Sequence, residues 1–135
     1  MPLSNEQIIR ILDENPIEGL DYTDGLNRLS NQASIYLRIV NTFVKSTPDL
    51  LEELARVTPE TIADYTIRIH GLKGSCYSIG AMAPGDEAKA LELAAKAFDW
   101  DTIEQDNQQV IEQTNRLIDQ LQAVLDKTKE SEANF

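Results

Sequence analysis

Between Thr58 and Gly80 the apolar residues Ile62, Tyr65, Ile69, Leu72, Cys76 and Ile79 recur at intervals of 3, 4, 3, 4 and 3. That period lays one stripe along a helix and is incompatible with a strand, whose side chains alternate between faces at every residue. The start of this helix is well marked. Thr58 supplies an N-cap hydroxyl, Pro59 sits at the first helical position and Glu60 places a carboxylate near the N-terminus. Gly80 and the Pro84-Gly85 pair mark its end.

The same period recurs on either side. Ser4–Glu14 carries Ile8, Ile11 and Leu12 at helical spacing, Ser4 and Gln7 form a capping box, and Asn15-Pro16 ends the segment. Gly19 and Gly25 bracket a short helix over about Tyr22 to Leu29. Tyr36, Val40, Phe43, Leu50, Leu54 and Val57 mark a long helical stretch interrupted by Pro48. Two readings fit there: the helix kinks at the proline, or Thr47 caps a second helix that begins with it. Ala88, Leu91, Ala95 and Phe98 repeat at 3, 4 and 3. Asp99 reads as the N-cap of a last helix with Ile103, Val110, Leu117 and Val124 at steps of seven, a face that Ile111, Ile118 and Leu125 widen. Lys127–Phe135 reads as a polar, frayed tail. No segment alternates as a strand would. The expected fold is all-α: an antiparallel four-helix bundle with one or two short N-terminal helices. The 135 residues are read as a single domain.

Charge and rare residues exclude several functions. Twelve Lys and Arg stand against 23 Asp and Glu, a formal net charge of -11, which argues against a nucleic-acid partner. One cysteine cannot form an internal disulfide, and one histidine with it cannot build a His/Cys zinc site. Cys76 belongs to the core stripe and reads as inert packing. No apolar run spans a bilayer and the N-terminus lacks a secretory pattern, so the expectation is a cytoplasmic protein without a membrane partner.

The one histidine, His70, does not belong to the buried stripe. At 100° per residue it points about 130° away from the stripe's centre, among Ala63, Thr66, Ile67, Lys73, Gly74 and Tyr77. Gly71 and Gly74 fall in mid-helix, where each costs about 1 kcal/mol relative to alanine. Such a glycine marks either close helix packing or access for another molecule. Gly74 lies one turn beyond the imidazole, and Lys73 adds a positive charge there. From Tyr65 to Gly85 the chain holds Arg68 and Lys73 and no acid. Small and apolar residues beside a nucleophile suggest a docking face. Tyr77 and Trp100 also fit plain packing. Asp99, Asp101, Glu52 and Glu53 fit caps and solvated faces.

The run His70-Gly71-Leu72-Lys73-Gly74-Ser75, followed by Ile79-Gly80-Ala81, resembles the histidine phosphotransfer (HPt) family of two-component phosphorelays. Ala88, Leu91 and Glu92 match the family's later A-x-x-L-E element, and Asp99-Trp100 resembles the start of its last helix. Ile17–Asp21 and Gly25-Leu26 resemble its opening segment. The resemblance covers roughly residues 17 to 126, leaving 127–135 as the tail. The chain departs from the pattern at Pro84, where leucine is usual, and at the bulkier Cys76 and Tyr77.

The resemblance implies a phosphoryl carrier without a catalytic site of its own. His70 would accept a phosphoryl group, through Nε2, from a receiver domain's phospho-aspartate and pass it to another receiver. Imidazole suits this as a neutral nitrogen nucleophile. Lys73 would steady the phosphoryl charge and Gly74 would give access. Ala63, Ile67, Gly71 and Tyr77 would face the partner, with Ser75 to one side. The receiver would supply Mg²⁺, so no cofactor is expected on this chain, and a monomer suffices. The partners implied are receiver domains and a hybrid or chemotaxis-type histidine kinase. Three alternatives stand beside this reading: a dimeric histidine-kinase core, the HPt-like first domain of a chemotaxis kinase, and a helical interaction domain without phosphate chemistry. The first lacks its usual acid after the histidine, since Gly71 stands there.

Overall fold

The computed structural model describes residues 2–134. It contains α1 (Asn5–Glu14), α2 (Tyr22–Asn27), α3 (Ala33–Ala55), α4 (Ile62–Ser78), α5 (Met82–Lys96) and α6 (Trp100–Asn134), with a 3₁₀ turn at Pro59–Thr61 leading into α4. The all-α expectation holds. Helices α3 to α6 form the bundle, and α1 packs against α3 and α6. No helix is long and apolar enough to cross a membrane among the described residues.

The stripes read from sequence form the core. Ile62, Tyr65, Ile69, Leu72, Cys76 and Ile79 are all buried, as are Ile103, Val110, Leu117 and Val124 on α6. Ser4 and Gln7 make the capping box of α1. Asp99 accepts hydrogen bonds from the backbone N–H and the hydroxyl of Thr102, capping α6.

Five local expectations change. First, α3 runs unbroken through Pro48, with Thr47 buried inside it rather than capping a second helix. An interior proline costs about 3 kcal/mol. Burying Leu51 and Leu54 beyond it offsets that, at about 1.5–3 kcal/mol each. Second, Leu51 rather than Leu50 is the core residue there. A strict seven-residue step drifts about 20° per heptad against a 3.6-residue helix, and the true stripe moves on by one position. Third, Pro84 and Gly85 do not lie between helices; they sit in the first turn of α5. A missing N–H costs little there, because the first N–H groups of a helix have no internal partner. Fourth, the expected frayed tail is helical over residues 127–134, where α6 continues to Asn134 and buries Thr128, and Phe135 lies outside the described residues. Fifth, Phe98 is no part of the α5 stripe. It lies beyond the helix, 77% exposed, with φ 54.

Phe98 occupies the left-handed position of a Schellman cap. Its N–H donates to Ala95 O at 3.1 Å, and the Asp99 N–H donates to Ala94 O at 2.8 Å. Glycine is the usual occupant, because a left-handed L-residue costs about 1–2 kcal/mol.

The α4–α5 turn is held from outside. Gly80, at φ 81, accepts from the Asp21 N–H at 2.7 Å, and Leu20 and Ala81 form an isolated bridge. The Tyr36 hydroxyl donates to Ile79 O at 2.8 Å. A Cβ on Gly80 would collide with Asp21 O, so the position needs glycine for space as well as for φ.

Candidate functional site

The site is built on the antiparallel pair α4 and α5, and its central residue comes from α5. The side chain of Glu92 is 4% exposed and that of His70 is 65% exposed. His70 Nδ1 lies 2.5 Å from Glu92 Oε2. Lys73 Nζ donates to Glu92 Oε1 at 2.6 Å, and Lys96 Nζ stands 3.7 Å from Oε2. One nearly buried carboxylate therefore serves an imidazole and two ammonium groups. Burial pushes the Glu92 carboxyl up. The hydrogen bonds from Lys73 and His70 and the charges of Lys73 and Lys96 outweigh it and hold the group below the usual glutamate value. An ionised carboxylate only accepts hydrogen bonds, so Nδ1 carries the imidazole proton. Nε2 is left with its lone pair and no hydrogen bond among the described residues.

The helical wheel placed His70 outside the core stripe, and the structure exposes it. Ala63, Ile67 and Gly71 are exposed around it, Ile67 by 73%. A Cβ on Gly71 or Gly74 would meet nothing within 4 Å. Close helix packing therefore explains neither glycine, and both leave open space along the imidazole's side of α4. Tyr77 is turned more toward α5 than expected. Its ring covers Gly85, and its hydroxyl donates to Asp86 at 2.6 Å, which pushes the phenol up to about 12. Ser75 is exposed, and Trp100 packs against the core. Cys76 is buried, and burial with the nearby Glu87 charge pushes its thiol up to about 12, as an inert core residue requires.

The window is less basic than its sequence. Arg68 faces Glu53 at 3.8 Å, and Lys73 is tied to Glu92. The stretch without acids receives its carboxylates from α3 and α5. Glu92 is the residue whose part in the site the periodicity did not reveal. The signal was present in the Ala88–Leu91–Glu92 element, and what was missing was its register against α4. Among the described residues no cluster of His, Cys, Asp and Glu is suited to hold a metal ion.

The exposed imidazole, held through Nδ1, thus stands on the second helix of a four-helix bundle. Residues 38–129 match the Hpt domain family, and the chain belongs to it. Hpt domains carry phosphoryl groups on histidine in phosphorelays and interact there with receiver domains and kinases. Neither the curated proteins nor the solved structures compared with the chain include a significant match.

Proposed function

We propose that His70 is the phosphorylated residue and that the chain is a phosphorelay intermediate, taking its phosphoryl group from one receiver's aspartate and giving it to another's. The observation that carries this is the Nδ1 hydrogen bond to Glu92, which leaves the Nε2 lone pair facing solvent. In the transfer, the Nε2 lone pair bonds to phosphorus in line as the bond from phosphorus to the aspartyl oxygen breaks, and the aspartate leaves as a carboxylate. No proton moves: Nδ1 keeps its own. The ring acquires positive charge as the N–P bond forms, and the Glu92 carboxylate lies against that charge. A cationic ring is also the better leaving group in the reverse step, so the same carboxylate supports both directions.

Lys73 reaches the site through Glu92 and is placed to turn toward a phosphoryl group on Nε2. Gly71 and Gly74 leave open the space an incoming side chain requires, and Ala63, Ile67 and the edge of Tyr77 face the partner. Mg²⁺ is assigned to the receiver, and this chain supplies no other catalytic group. A monomer and a cytoplasmic setting belong to the same reading.

The test is to incubate the chain with a phosphorylated receiver domain and to follow alkali-stable, acid-labile label. The wild type is expected to take up label and His70→Gln none. Label that persists on His70→Gln, or a wild type without label from any receiver, overturns the assignment.

A further inference from the structure

Among the described residues, the exposed large apolar side chains are Ile67, Met82, Leu93 and Phe98. Three of these four lie toward one end of the α4–α5 pair. Ile67 is one turn before His70 on α4, Leu93 follows Glu92 on α5, and Phe98 closes that helix. The helices are antiparallel, with His70 against Glu92 and Tyr77 against Asp86. Moving back from His70 and forward from Glu92 therefore leads to the same end.

Phe98 is the residue whose presence the fold does not explain. It is 77% exposed and holds a left-handed backbone. Glycine costs less at that cap, and a polar residue costs less at that exposure. The stretch of α5 that leads to it carries exposed cations. Lys89, Leu93 and Lys96 are exposed and fall at i, i+4 and i+7, on one stripe of α5. From Ala88 to Phe98 the only acid is Glu92, which is buried. The exposed stripe of α5 is therefore apolar and cationic up to Phe98, and the exposed carboxylate of Asp99, which caps α6, marks where it ends.

We propose that Phe98 is a specificity-determining contact for the receiver domain. It forms an apolar knob that seats in an apolar surface beside the receiver's acidic phosphoacceptor pocket, while Lys89 and Lys96 face the acidic rim. The proposal rests on the phosphotransfer reading and adds the residue that selects among receivers.

The test uses Phe98→Gly in the full chain, with a receiver domain charged by acetyl phosphate and shown to label the wild type. The thermal midpoint is expected to rise by about 3 °C as the backbone strain is relieved. The KM for the phosphorylated receiver is expected to rise about tenfold with kcat unchanged. Gain of stability with loss of docking is a pair of results that a merely structural residue does not give. A lower thermal midpoint, or an unchanged KM, overturns the proposal. Phosphoramidate, a small donor that needs no docking face, should label wild type and variant alike. A wild type that takes label from neither donor overturns the phosphotransfer reading, and this proposal with it. A labelled wild type matched by Phe98→Gly with the receiver overturns the docking role alone.

Discussion

Two buried polar side chains hold the bundle together in different ways. Asn107 on α6 accepts from the Tyr65 hydroxyl at 2.8 Å and donates to Leu54 O at 3.0 Å. It joins α3, α4 and α6 through neutral groups that are all buried. Glu92 on α5 is buried to a similar degree, but its partners are charged or chargeable and reach toward the surface. The neutral network has no alternative partner and fixes the register of three helices. The charged one has partners that solvent or another molecule can compete for. A polar group buried on all sides serves the fold, whereas one buried beneath exposed cations can respond to what arrives above it.

The largest expected effect separates the two on stability. Asn107→Ala leaves the Tyr65 hydroxyl and Leu54 O buried without their partner, and should cost about 3 kcal/mol. That lowers the thermal midpoint by roughly 9 °C. Below the transition, transfer per folded molecule should match wild type. A loss of transfer larger than the loss of folded protein would break the separation. Glu92→Gln should do the reverse. It keeps the shape and removes the charge behind the imidazole, so transfer from a phosphorylated receiver should slow about tenfold, as when a histidine loses its orienting carboxylate elsewhere. Circular dichroism should show an intact bundle, and an unchanged rate would leave Glu92 as packing only.

A smaller effect sharpens the contrast with acid. The Glu92 carboxyl is held below its usual value in the folded state. The unfolded chain therefore binds the proton first as pH falls, and acid favours unfolding through this group. The stabilisation is complete above the ordinary glutamate range, near pH 4.3, and is lost as pH drops through the lowered folded value. Urea titrations from pH 7 to pH 3 should show a shallower acid loss for Glu92→Gln than for wild type. Asn107→Ala should run parallel to wild type, since nothing in its network titrates there.

The sequence made the buried stripes, the exposed histidine and several caps legible, because each follows from spacing within one segment. Ile62 to Ile79 needed only the helical period, and Asp99 needed only its place before Trp100. What escaped depends on contact between segments. The acid-free run around His70 was visible, but the register that brings Glu92 beneath it depends on how Gly80 turns the chain. The passage of α3 through Pro48 depends on what lies under Leu51 and Leu54. Phe98 kept the helical period in the sequence, yet the helix ends before it. Its left-handed cap is set by hydrogen bonds to Ala94 and Ala95 that no apolar pattern records.

The clasp on the α4–α5 turn also sets where the chain can be cut. The span that matches the family begins at residue 38. Two donors that satisfy the turn's carbonyls, the Asp21 N–H and the Tyr36 hydroxyl, come from before it. A fragment covering 38–129 alone would keep His70, Lys73 and Glu92. It would leave Ile79 O and Gly80 O without these partners and open the hinge that sets α5 against α4. A piece that keeps both donors starts at or before Leu20, well upstream of residue 38.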